Sequence, residues 1–373
     1  MNNTTAPPPP PRQPPMPAEL ASLVKTVDMA YLISGIYLSI IGLVTIFGNG
    51  LLLLAIIKDP FKSFRTPTTL FVVGLALADF FTGAVVDPLT AFLDIAVYLK
   101  LYNDPDTIKV FNDCRKVNYH VSFITMNSSF LILLAITFCQ YVAISFPHKH
   151  RVLVNRRNAL ITLIAIAIYS VVFSLLSEFN IPLRLKLEID THLNTNAVAI
   201  ILILFYVLLY RAYRVHLKRV SGLDENDAAR SRRREQEREF TAVNLLLVTF
   251  LLIFTLPSMI LWNLRLDKYY DLRSLPYDQQ LRCELARILI FDVLVMKFAL
   301  DPCIYAWRLS KYRRAIKKII KCGCVPEVEG SSTSTRVIST YEGGEGTDRE
   351  RARTGSTLVL LNSPRRAAPE PES

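Results

Sequence analysis

The sequence predicts an all-α fold: a bundle of seven transmembrane helices followed by an amphipathic helix on the cytoplasmic side. Three observations carry that prediction. Apolar stretches of about 20 residues, the length that crosses a bilayer, recur seven times in a chain that is 51% hydrophobic. Lysine and arginine crowd into alternate connections between them. The last stretch contains Asp301-Pro302-Cys303-Ile304-Tyr305 and opens into the basic run Arg308-Leu309-Ser310-Lys311-Tyr312-Arg313-Arg314. Proline there breaks the helical ladder and bends the segment, and an acid kept beside it in hydrocarbon is costly unless it serves a function.

Residues 1–30 carry a proline tract, Pro7 to Pro11 and then Pro14, Pro15 and Pro17. They read as an extended, disordered segment. No apolar core of a signal peptide precedes the first span, which is its own insertion signal. Asn2 and Asn3 open two Asn-X-Thr triplets, the acceptor pattern for glycosylation. The seven spans fall near 31–57, 67–93, 117–146, 159–176, 197–213, 241–264 and 285–307, a single domain over 31–307. Connections after spans one, three and five hold Lys58, Lys62 and Arg65; Lys149, Arg151, Arg156 and Arg157; and Arg211, Arg214, Lys218, Arg219 with the run Arg230 to Arg234. By the positive-inside rule these ends are cytoplasmic and the N-terminus is extracellular. The net charge of +11 is thus an orientation signal, and nucleic acid is not an expected partner.

Polar groups inside the spans must find partners inside the bundle. Span one holds Gly48-Asn49-Gly50, span two Asp79, span three Ser122, Asn127, Ser128 and Ser129, and span seven Asp292, Lys297 and Asp301. Lys297 and Asp301, four apart, share a helix face. They form either a static salt bridge or a switch whose pairing changes with state. Of six cysteines, Cys139 and Cys303 lie in spans and Cys322 and Cys324 follow the basic run. Cys114 and Cys283 face outward and could pair, although the connection between spans four and five has no cysteine. No Gly-rich phosphate loop, metal-ligand spacing or nucleophile motif occurs, so neither an enzyme nor a metal or cofactor is expected. The internal repeats and broken helix pairs of transporters are not seen either.

These residues, in this order, resemble the rhodopsin-like (class A) G-protein-coupled receptors over roughly 31–324. The motifs are Gly48-Asn49 in span one, Leu75-Ala76-Leu77-Ala78-Asp79 in span two, Ser129 in span three, Pro257 in span six and Asp301-Pro302-Cys303-Ile304-Tyr305 in span seven. Absent loop cysteines and an absent span-five proline are most similar to the melanocortin, cannabinoid and adenosine group. The resemblance implies a plasma-membrane receptor that passes an extracellular ligand's signal to a heterotrimeric G protein, and then to arrestin. A seven-helix receptor that does not signal through G proteins is the alternative. It further implies that Asp79, Ser129 and Asp301 sit in the family's buried sodium pocket, beside Asn49, with Lys297 where a small polar residue is usual. Sodium regulation is then expected to be weak or absent. The D-R-Y motif ending span three reads Cys139-Gln140-Tyr141, so its arginine is replaced, while Glu237 keeps the acid of span six. Tyr206 and Tyr305 match the two tyrosines that approach each other on activation. The C-W-x-P of span six reads Phe254-Thr255-Leu256-Pro257, without the aromatic toggle.

The outer pocket would be lined by Asp87, Ser122, Phe123, Met126, Met259, Trp262, Phe291 and Val295. Amine receptors anchor their ligand on a span-three aspartate where this chain has Ser122, which argues against a monoamine held by that contact. Asp87 and Asp94 either attract a cationic ligand or are acids near water at a helix end. Retinal needs its lysine at Val295; Lys297 lies about 200° round the helix, which argues against a light sensor. In residues 308–324, Leu309, Tyr312, Ile316, Ile319 and Ile320 share one face of a basic helix suited to an anionic lipid bilayer surface. Cys322 and Cys324 are either palmitoylated there or free. Residues 325–373 read as a disordered tail in which Ser331, Ser332, Thr333, Ser334 and Thr335 could be phosphorylated for arrestin.

Overall fold

A computed structural model describes residues 16–61, 64–179, 181–220, 228–268 and 275–323, which form helices and no strand. Span one is the helix α1 (Ala18–Lys58), starting directly after Pro17. It therefore includes residues 18–30, expected to be disordered. Ala18, Glu19, Leu20 and Ala21 favour the helix, and nothing stops it once the prolines end.

Span two runs continuously for 32 residues, from α2 (Pro67–Phe81) through a widened π turn (Thr82–Val86) into α3 (Asp87–Tyr98). Thr66 caps its start, accepting the Thr69 N–H at 3.3 Å ahead of Pro67. Span three is α4 (Ile108–Ser145), followed by the short α5 (Pro147–Leu153). Span four is α6 (Arg156–Leu175), capped by Asn155, whose Oδ1 accepts the Asn158 N–H at 2.8 Å. Span five begins earlier than expected, at α7 (Leu183–Ile189), and passes through a second π segment (Asp190–Ala197) into α8 (Val198–Val220). The polar run Asp190-Thr191-His192-Leu193-Asn194-Thr195-Asn196 hid this part from an apolarity reading. Spans six and seven are α9 (Ala228–Lys268), containing Pro257, and α10 (Tyr277–Arg308), containing Pro302; α11 (Ser310–Gly323) comes after them.

Six of these spans are long and apolar enough to cross a membrane on composition. The seventh, α10, falls short because Glu284, Arg287, Asp292, Lys297 and Asp301 interrupt it. It packs between α1 and α9, so its charges face protein rather than lipid. Glycine lets the backbones approach closely at two places. A Cβ on Gly83 would lie 2.7 Å from the Thr45 Cβ and 3.0 Å from the Gly42 carbonyl oxygen; one on Gly48 would lie 2.8 Å from Pro302 Cγ. Such small-residue contacts replace hydrophobic driving force in a bilayer.

The larger core runs from Leu52, Phe71 and Leu75 through Leu133 and Ile136 to Leu247, Tyr305 and Tyr312. A smaller cluster of Leu38, Ala91, Val295 and Phe298 lies toward the end of the bundle where α1 starts, here the amino end. Ile40, Phe47, Ile164, Ile168, Val172, Ile200 and Leu204 are exposed, an apolar exterior that suits lipid. At the opposite, carboxyl end α11 turns Tyr312 and Ala315 against the bundle and leaves Arg313, Arg314, Lys317 and Lys321 exposed.

Candidate functional site

The candidate site comprises two adjoining cavities at one end, a third at the opposite end, and a buried cluster of charges between them. At the amino end a cavity of about 200 Å³ is lined by five expected residues, Ser122, Phe123, Met126, Trp262 and Phe291, together with Asn127, Asp190, Thr255 and Ser258. It adjoins an outer cavity of about 470 Å³ lined by Tyr31, Asp94, Arg115, Glu284 and Arg287, and the two share Ser122, Phe123, Ser258, Trp262, Phe291 and Leu294. Met259 and Val295 line neither; Val295 is fully buried against Leu38, Ala91 and Phe298. Asp87 also lies away from both cavities. It is buried against α1, its Cβ 3.0 Å from where a Cβ on Gly42 would stand. The preceding π turn explains this: one extra residue rotates the helix beyond it by about 100° relative to a regular one.

The amino-end rim is polar. The Tyr31 hydroxyl donates to Glu284 Oε1 at 2.6 Å, and Arg287 Nε donates to the same oxygen at 2.8 Å. Ser34 Oγ lies 2.8 Å from Asp94 Oδ2 and 2.9 Å from Asp292 Oδ1, joining α1, α3 and α10. After α6, Glu178 meets Lys116 Nζ at 2.8 Å and His120 Nε2 at 3.1 Å. The hydrogen bond from Lys116 holds the Glu178 carboxyl below the usual glutamate range, with His120 adding to the effect.

At the bundle centre Asp79, Ser129, Lys297 and Asp301 are brought together, all buried. Lys297 Nζ is 2.8 Å from Asp301 Oδ2 and 3.5 Å from Asp79 Oδ1. It donates to Ser129 Oγ at 2.6 Å, and Ser129 donates onward to Asp79 Oδ1 at 2.9 Å. The ammonium also stands 4.5 Å over the Phe298 ring. Asn49 donates to the carbonyls of Thr45 and Phe298, at 3.0 and 3.1 Å, tying α1 to α10 beside the cluster. Two carboxylates surround one ammonium, and it occupies the space between them.

At the carboxyl end a cavity of about 270 Å³ is lined by Thr66, Gln140, His150, Glu239, Thr241, Ser310 and Lys311. Gln140 Oε1 accepts from Thr241 Oγ1 at 3.2 Å, a neutral bond between α4 and α9. Asn244 Nδ2 donates to Thr137 Oγ1 at 3.3 Å between the same helices. Tyr141 packs on Phe146 and Phe205. The two tyrosines serve different helices: the Tyr206 hydroxyl is 3.3 Å from Thr249 Oγ1 of α9, while the buried Tyr305 ring is 5.7 Å from that of Tyr312 in α11. Burial holds the Lys311 ammonium below the usual lysine range.

Sequence reasoning missed Asp190, Thr255 and Glu239. Glu239 Oε2 accepts from Ser310 Oγ at 3.3 Å. Its motif-based counterpart, Glu237, is helical, but its side chain, like that of Cys322, lies outside the described residues, as do Cys324, Asn2 and Asn3. Cys114 and Cys283 carry free thiols rather than a bridge. They sit on α4 and α10.

Residues 48–305 match the family model described as 7 transmembrane receptor (rhodopsin family). Over 290 residues the chain is 27% identical to melanocortin receptor 5 of Pan troglodytes, covering 76% of this chain and 82% of that protein. Melanocortin receptor 3 of Homo sapiens is 24% identical over 294 residues, 78% and 85% of the two chains. Among solved structures, squid rhodopsin superposes with a TM-score of 0.63 at 19% identity, covering 81% of this chain and 89% of its own. At that identity the likeness is one of fold.

Proposed function

The chain belongs to the rhodopsin family of seven-transmembrane receptors, and from that premise we propose that it passes a ligand signal from the amino-end cavity to a heterotrimeric G protein at the carboxyl end. The amino end then faces the extracellular side of the plasma membrane, in keeping with the lysine and arginine placement. The observation that carries the coupling proposal is the Gln140–Thr241 bond inside the carboxyl-end cavity. It latches α9 to α4 where the family's charged arginine is missing. A neutral hydrogen bond nets about 0.5–1.5 kcal/mol, roughly half of a charge-assisted one. The resting state is therefore weakly held, and the receptor has basal activity. Arrestin engages the phosphorylated tail afterwards, and α11 rests on the anionic leaflet with Cys322 and Cys324 acylated.

Ligand-independent G-protein dissociation, measured across the Gα classes in cells expressing wild type and Gln140→Arg at matched surface level, tests this. Wild type is expected to signal above untransfected cells through at least one class. Silence from both proteins would overturn basal coupling and move the search to arrestin recruitment and binding partners, which separate a ligand-dependent receptor from one that works without G proteins.

A further inference from the structure

Asp190 is the one acid that lines the inner cavity of the amino end. Asn127 Nδ2 and Asn194 Nδ2 both donate to its Oδ1, at 3.2 and 2.9 Å, and Asn194 is itself held by the Tyr169 hydroxyl. Oδ2 accepts no hydrogen bond from the described residues, and no described lysine or arginine forms an ion pair with the carboxylate. Lys186, one helical turn earlier, donates to the Ser174 carbonyl and stands over the rings of Tyr119 and Phe123, and its charge also acts on the Asp190 carboxylate.

A second residue lines the same space. Thr255 does so from α9, and its buried Oγ1 has no hydrogen-bond partner among the described residues. An unpaired hydroxyl there costs free energy that a ligand would relieve. The remaining wall is apolar and aromatic: Phe123, Met126, Phe130, Trp262 and Phe291. The inner cavity, of about 200 Å³, has room for the body of a small organic amine, and the outer cavity adjoins it.

We propose that this cavity binds a small protonated amine with an apolar or aromatic body, its ammonium anchored on Asp190 of span five. The inference rests on the reading of the amino-end cavity as the ligand pocket. Ser122 in span three removed the anchor expected for such ligands; Asp190 supplies one from the other wall. Thr255 offers a second hydrogen bond to the ligand, and the aromatic rings take its body and the flank of its cation.

The test uses full-length receptor purified in detergent at pH 7, with melting temperature read against ligand concentration. The probes are 2-phenylethylamine, tyramine and tryptamine, each paired with the alcohol in which hydroxyl replaces the amine. Wild type is expected to be stabilised by at least one amine at concentrations at least about tenfold below its alcohol, the preference a charge-assisted bond gives. Asp190→Asn should erase the preference for the amine over its alcohol. Thr255→Val, which keeps the carboxylate, should weaken amine and alcohol together. Equal response of wild type to each amine and its alcohol, or an undiminished preference in Asp190→Asn, overturns the proposal. Should Asp190→Asn fail to fold, the wild-type comparison decides alone. Binding is read without any transducer, so a failure here is separate from a failure of G-protein coupling.

Discussion

At Lys297 an ammonium group stands between two carboxylates that would otherwise face each other without a cation. Its 2.8 Å contact with Asp301 and its hydrogen bond to Ser129 leave it fully buried. Removing one partner of such a pair costs about 3–5 kcal/mol, mostly the penalty of the charges left behind. Lys297→Met should therefore lower the melting midpoint of the purified receptor markedly. Lys297→Asn, by contrast, vacates the space between two acids and leaves a neutral oxygen ligand. Exchanging KCl for NaCl should raise the melting midpoint of that variant and leave wild type where it was. Sodium-specific stabilisation of wild type would show that the lysine does not exclude the ion. This cluster was legible from the sequence because acids and lysine inside apolar runs have few ways to be satisfied. Asp190 was not: it sits in a polar run that reads as a loop, and only the helical backbone turns it inward.

Elements show the same division between what apolarity reveals and what backbone geometry decides. All seven spans read as apolar stretches, but in α10 five charged residues interrupt the run and its Asp301-Pro302 motif marks it further. Neither π segment has a signature in residue type, yet each redirects an acid. After Thr82–Val86, Asp87 turns to α1; within Asp190–Ala197, Asp190 turns to the cavity. The first depends on Gly83, where span two meets α1. A methyl group there would stand 2.7 Å from the Thr45 Cβ, an atom fixed to the backbone and unable to swing aside. Gly83→Ala should thus push α1 from span two and cost about 1–3 kcal/mol, the usual range for overpacking. Thr45→Ala would not relieve it, since the Cβ remains. Comparing the melting midpoints of Gly83→Ala, Gly83→Ala/Thr45→Ala and wild type checks this, and an unchanged midpoint in Gly83→Ala would mean the helices separate freely.

For the whole molecule the question is what keeps α9 in its observed position. Among the described residues, three neutral hydrogen bonds hold it at the carboxyl half: Thr241 to Gln140, Asn244 to Thr137, and Thr249 with Tyr206. In a two-state receptor each such bond biases the equilibrium only if it is lost in the active state. Tyr206 is engaged by Thr249 here, and Tyr305 packs on Tyr312, so bringing the two tyrosines together requires both contacts to yield. Thr241 and Thr249 are about 12 Å apart along the helix and share no partner among the described residues, so their effects should add. With each bond worth about 0.5–1.5 kcal/mol, Thr241→Val and Thr249→Val should each raise basal G-protein dissociation per surface receptor by roughly twofold to tenfold. The double variant should approach the product of the two. Valine keeps the β-branched shape, so packing is little changed and the hydroxyl is the variable. If the double variant signals no more than either single one, the two bonds do not both oppose the movement of α9. Lower signal in both single variants would place these bonds in the active state, and the resting latch would have to be sought at Asn244 or at the Ser310–Glu239 contact.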